Sequence, residues 1–134
     1  MSSPDGKLTY IDPVDLHDYW PLILEGLKKV QKHSDGWIPE DVYACLRAGT
    51  STLHIGYEGE DYEGFVILTP MQEFDGKKLN IWIAYGTGGV VKKYLPEIEM
   101  MARRIGAKAI TLASPRKGWA RMFKPITTLY KKEL

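Results

Sequence analysis

The sequence predicts an α/β (α+β) domain on one mixed sheet: a three-strand antiparallel meander, a glycine loop, a crossover helix and a parallel strand. Three observations carry this prediction. Between residues 52 and 85, apolar side chains alternate or run together along three consecutive segments joined by short glycine-containing connections, as strands in successive hairpins do. On either side of these segments apolar residues recur at helical spacing. Finally, Asn80 to Ala107, "NIWIAYGTGGVVKKYLPEIEMMARRIGA", passes from strand through glycine turn to helix, and a short apolar run beyond it completes a crossover that is right-handed when its strands are parallel.

Each element has a local reason. Lys7 to Ile11 alternates as a first short strand. Asp12 can cap a helix start and Pro13 can occupy its first position, where a missing N–H costs nothing. Leu16, Trp20, Ile23, Leu27 and Val30 then line one helical face, and Pro21 within that run is expected to kink or split the helix, since it removes a backbone donor. A second helix begins at "IPED", with Glu40 and Asp41 where the helix dipole favours acids, and stops at Gly49. In the meander, Leu53, Ile55 and Tyr57 share a face, which puts His54 on the surface. "YEGFVILTP" is the central strand, and Leu79, Ile81, Ile83 and Tyr85 line one side of the third. Leu95, Ile98, Ala102 and Ile105 mark the crossover helix; Pro96 is expected to delay its start to near Lys93, and Gly106 ends it. Ala109 to Ala113 is a buried strand, "GWARMFKP" holds one or two helical turns, and "ITTLYKKEL" offers a final edge strand.

Residues 1–134, with 44% hydrophobic and 26% charged residues, make a single domain. No apolar run approaches the ~18 residues of a membrane span, and the polar start "MSSPDGKLTY" is not a secretory signal, so a cytoplasmic protein without a membrane partner is expected. The single cysteine, Cys45, excludes an internal disulfide, and His17, His33 and His54 lack metal-ligand spacing. Charge is divided unevenly. Residues 1–89 carry 14 acids and 7 bases, net −7, and residues 90–134 carry 11 bases and 3 acids, net +8. A basic half suits an anionic partner, or else faces the acidic half or solvent.

Two helices, a three-strand meander, a glycine loop, a crossover helix and a strand, over essentially the whole chain, resemble the GNAT fold of the N-acetyltransferase superfamily. The resemblance implies that the Leu79–Tyr85 strand splays from the Ala109–Ala113 strand to admit the pantetheine of acetyl-CoA or another acyl-CoA. It also implies that loop amides hold the pyrophosphate. The family's loop motif, Arg or Gln, two residues, Gly, one residue, then Gly or Ala, falls on Gly86, Thr87, Gly88, Gly89, Val90 and Val91. Gly89 matches. Gly86 stands at the Arg/Gln position, and Val91 at the last small one, where its branched side chain is expected to crowd a diphosphate oxygen; a helix starting near Lys93 would also lengthen the loop. Carried over by position, the cofactor-binding residues are Ile83, Ala84, Tyr85, Gly86, Thr87, Gly88, Gly89, Lys92, Lys93 and Ser114. The catalytic candidates are Tyr85 and Glu73. Each also has a plainer account: Tyr85 as a core tyrosine, Glu73 as a solvated hairpin acid, Ser114 as a strand-end turn residue, and the glycines as a turn.

The tail "WARMFKPITTLYKKEL" is further similar to degenerate GNAT-like virion or scaffold-associated proteins of tailed bacteriophages. In active acetyltransferases a tyrosine in the last helix often protonates the leaving thiolate, and the nearest position here, Phe123, has no proton to give. Two functions therefore stand. One is an acyl-CoA-dependent N-acyltransferase with a small-molecule or protein amine acceptor. The other is a catalytically silent GNAT-fold phage protein that binds virion proteins, virion-associated rather than freely cytoplasmic. Arg116, Lys117, Arg121 and Lys124, interleaved with Trp119 and Phe123, would be the site for nucleic acid, but a solvated short helix explains them as well and no nucleic-acid partner is expected.

Overall fold

β1 (Gly6–Ile11) ends at Asp12, whose carboxylate accepts a hydrogen bond from the Val14 amide at 2.9 Å and caps a 3-10 turn over Pro13–Asp15. These coordinates are a computed structural model that describes residues 6–34, 36–86, 89–114, 117–127 and 130–134. α1 (Leu16–Gln31) follows without interruption at Pro21. That departs from the expected kink or split, and the reason is energetic. A proline inside a helix costs ~3 kcal/mol, whereas burying Leu16, Ile23 and Leu27 on the sheet contributes ~1.5–3 kcal/mol each; Pro21 itself lies on the exposed side. α2 (Pro39–Ala48) starts with the Ile38 amide donating to Asp41 at 3.0 Å and ends at Gly49, in the left-handed conformation at φ +80°.

β2 (Thr52–Glu58), β3 (Asp61–Glu73) and β4 (Gly76–Gly86) form the meander, with Glu58 facing Asp61 and Glu73 facing Gly76 across two-residue turns. α3 (Val90–Arg104) and β5 (Ala109–Leu112) complete a five-stranded sheet of order β1-β2-β3-β4-β5, antiparallel except for the parallel β4–β5 pair. α1 and α2 cover one face over Leu53, Ile55, Phe65, Ile67 and Ile83. α3 covers the other, where Val90, Val91, Tyr94, Ile98 and Ala102 pack on Leu8, Val66, Leu68, Leu79 and Ile81.

Three further expectations change. α3 starts at Val90 rather than near Lys93, with Pro96 on its exposed side, because five buried side chains outweigh one missing hydrogen bond. His54 is buried at 6% exposure: the face that alternation assigned to solvent is the one α3 packs on, and the Tyr10 ring of β1 stands 5.6 Å from its imidazole. The final strand is absent among the described residues: the chain after the 3-10 turn Lys117–Arg121 forms no strand there, and Ile126 and Tyr130 are exposed.

Candidate functional site

A cleft opens where β4 and β5 part. Their pairing runs from Lys78 opposite Ala109 to Ile81 opposite Leu112 and stops, while β4 continues to Gly86 bonded only to β3. The cause lies in the β3–β4 register. Ile67 faces Ile83 and Leu68 faces Ile81, so Trp82 is an extra residue in β4, a bulge that bends and twists the strand at the point where β5 ends. The resulting space, about 300 Å³, has Ile81 to Gly86 on one wall and Leu112, Ala113, Ser114 and Trp119 on the other. Lys29, Val30, His33 and Ser34, at and beyond the end of α1, close one side. A volume of this size lies at the lower end of small-ligand sites, ~300–1,000 Å³. A larger cavity, about 400 Å³, lies between α1 and α2 at Trp20, Leu24, Pro39 and Tyr43, but it has neither an unpaired strand edge nor a glycine turn.

Beyond Gly86, Gly89 takes φ +78° and its carbonyl accepts from the Lys93 amide at 2.9 Å, which starts α3 abruptly. The loop is therefore short rather than extended. Val91 is 2% exposed and points into the core beneath α3, away from the surface where a phosphate was expected to be crowded. The amides of the first turn of α3 lack partners within the helix and, with the helix dipole, favour an anion. Thr87 and Gly88 lie outside the described residues. Lys92 is exposed. Lys93 turns to the β2–β3 hairpin, where its ammonium lies 2.7 Å from Glu63 on β3 and 3.5 Å from Glu58 on β2.

Tyr85 sits at the mouth. Gly26 of α1 makes room for it, since a Cβ there would lie 2.5 Å from Tyr85 Cδ2 and 2.9 Å from Phe65 Cε2. The Lys29 ammonium donates to Tyr85 Oη at 3.4 Å, lies 5.8 Å from the centre of its ring and stands 3.5 Å from the Glu25 carboxylate. The hydrogen bond to Tyr85, with Glu25 beside it, holds that ammonium above the ordinary lysine pKa. Because Lys29 can only donate, the phenol's own proton is left to point elsewhere. Tyr62 shares this neighbourhood: its hydroxyl is buried with no partner among the described residues, and burial, with Tyr85, Tyr57 and Glu25 near, pushes it up to about 12.

Ile83, Ala84, Tyr85, Gly86 and Ser114 thus line one cleft, and Gly89, three residues beyond Gly86, starts α3. Glu73 is not brought to it. It ends β3 at the opposite tip of the hairpin, paired with Lys78 at 2.6 Å, and nine residues of β4 separate that tip from Tyr85, about 30 Å of extended chain. Trp119 and Phe123 contact each other edge to face and pack on the α3-side core, with Trp119 also lining the cleft. Arg116 lies outside the described residues. The sequence reasoning missed Lys29 and Trp82. Lys29 carried a signal, lying one residue from Val30 on the inward face of α1, whereas a one-residue bulge leaves none.

No protein-family model matches the sequence, and no curated protein is similar to it in sequence. Solved structures do match in shape. A ribosomal-protein-alanine N-acetyltransferase from Brucella melitensis biovar Abortus superposes with TM-score 0.73 at 14% identity, over 96% of this chain and 99% of that one. A GNAT family acetyltransferase from Staphylococcus aureus gives 0.67 at 16% identity, over 96% and 98% of the two chains. A predicted acetyltransferase from Clostridium acetobutylicum, solved with acetyl-CoA, gives 0.67 at 14% identity and covers 96% of each chain. The chain has the GNAT fold.

Proposed function

We propose that this protein is an acyl-CoA-dependent N-acyltransferase that holds its acyl donor in the cleft between β4 and β5. The observation that carries the reading is the unpaired half of β4, Trp82 to Gly86, running directly into the Gly89 turn and the first amides of α3. An open strand edge suits an amide-bearing arm such as pantetheine, and a helix start suits its phosphates. The residues present fit that group. Ile83, Ala84 and Tyr85 would hold the arm and Gly86 to Gly89 the pyrophosphate, with Lys92 and the basic half of the chain adding long-range attraction. Bound acyl-CoA supplies an activated thioester.

The chain's own residues then bring an amine to it and manage protons. Tyr85, its oxygen engaged by Lys29, presents its hydroxyl proton as a donor toward developing negative charge in the cleft. This replaces the acid that Phe123 cannot supply. Glu73 has no part in the reading, and a small-molecule or protein amine is the acceptor class.

The test is thermal unfolding with and without acetyl-CoA at ~1 mM. Saturation at a hundredfold the dissociation constant stabilises by ~2.7 kcal/mol, a rise of several degrees for a domain of this size. Gly89→Val should abolish the rise, because a branched side chain at φ +78° distorts the turn. No rise at several millimolar would overturn the reading and leave the chain a GNAT-fold binding protein.

A further inference from the structure

Among the described residues that line the cleft, Lys29 carries the primary amine. Its ammonium is held at the mouth by the Tyr85 oxygen and the Glu25 carboxylate, on a side chain of α1 that meets the unpaired part of β4 at Tyr85. Its side chain is 53% exposed, so the four-carbon stem can swing inward without disturbing the core. The helix supplies its own controls: Lys28 lines the outer cavity between α1 and α2, and Lys32 is exposed and lines neither space.

We infer that Lys29 is a self-acylation site, whose side-chain nitrogen takes the acyl group from an acyl-CoA held in the cleft. This rests on the acyl-donor reading above. The step balances without a further reactant. The ammonium releases a proton to water by way of the adjacent Glu25 carboxylate, and the nitrogen lone pair forms a bond to the thioester carbonyl carbon. As the carbon–sulfur bond breaks the nitrogen gives its second proton to water, and the departing sulfur is protonated from Tyr85, which regains a proton from solvent. The products are a lysine amide, free CoA thiol and one proton in solvent. The acylated side chain has lost its charge, so it no longer pairs with Glu25. The mouth of the cleft then presents an uncovered tyrosine and an unpaired carboxylate to the next amine.

The experiment incubates the full chain with acetyl-CoA, follows binding by calorimetry, and maps acetylated lysines by peptide mass spectrometry. Occupancy at Lys29 is expected to exceed that at Lys28 and Lys32 by about tenfold or more, since a held donor raises the effective concentration at one amine only. The preference should vanish when the same incubation is run in denaturant. Lys29→Arg should bind acetyl-CoA and show no dominant site, and Tyr85→Phe should acetylate Lys29 several-fold more slowly per molecule of acetyl-CoA bound. Acetyl-CoA binding with Lys29 unmodified, or modified no more than its neighbours, would overturn this inference and leave the acyl-donor reading standing. Absence of binding would overturn both.

Discussion

At Gly64 the space left for a side chain is smaller than any side chain. Its φ is +154°, and a Cβ would clash with the carbonyl oxygen of Tyr85 and lie 2.6 Å from Gly86 Cα, both backbone atoms of the strand that walls the cleft. Gly64→Ala is therefore expected to destabilise the fold by ~2–4 kcal/mol, read as a lowered urea midpoint. It should also weaken acetyl-CoA binding more than its loss of stability explains, since β4 must shift. His54 offers a different single-residue test. Burial pushes its imidazole down to about 4, and it meets Thr52 Oγ1 at 2.9 Å. Between the ordinary value, about 6.5, and that depressed one, the unfolded chain binds a proton that the folded chain refuses. Its contribution is then complete above pH ~6.5 and is lost as pH falls toward ~4, by about 3 kcal/mol. His54→Gln should flatten urea-measured stability across that window; an unchanged slope would mean that His54 is not the titrating group. The depressed carboxyls of Glu63 and Asp75 act from their ordinary values downward, so the part of this window above about pH 5.5 reports on His54 without them.

At the scale of elements, the Glu63 carboxylate ties α3 to the meander through two adjacent residues of the helix. Glu63 accepts from Tyr94 Oη at 2.6 Å and from Lys93 at 2.7 Å, and Tyr94 is 1% exposed. Tyr94→Phe removes the donor under α3 and should cost ~1–3 kcal/mol by chemical denaturation. Lys93→Ala, at a solvated pair, should cost far less. Glu63 gave no sign of this in the sequence, because the pairing joins residues thirty apart through a packing that only the folded sheet creates. What was legible rested on local rules. Alternation and two-residue glycine turns marked β2, β3 and β4, and Gly49 and Gly106 marked helix ends. What misled was local chemistry overruled by burial. Pro21 and Pro96 each argue for a break, and each sits on the exposed side of a helix whose other side is packed. The cleft was legible as a strand leading to a glycine turn, but its opening depends on the bulge at Trp82, and a single unpaired residue leaves no pattern.

Across the whole molecule, the acidic first part and the basic last part set how an anionic donor is gathered. If CoA phosphates are held beside the net +8 segment, the acetyl-CoA dissociation constant should rise several-fold between ~0.05 and ~0.5 M salt, as the screening length shrinks from about 14 Å to about 4 Å. A constant unaffected by salt would place the phosphates away from that charge. The sheet itself is uneven in another respect. β3 holds a run of five buried residues from Gly64 to Leu68, whereas none of the four residues of β5 is fully buried, and among the described residues β5 has one bonded neighbour. Local opening follows such differences, since the segment with least burial and fewest ladder bonds separates at the lowest free energy. Amide hydrogens of Ala109 to Leu112 should therefore exchange with solvent deuterium well before those of β3, and a bound thioester should slow them most. The short strand that shapes the cleft would then also act as its hinge, giving a bulky donor a way in without unfolding the rest.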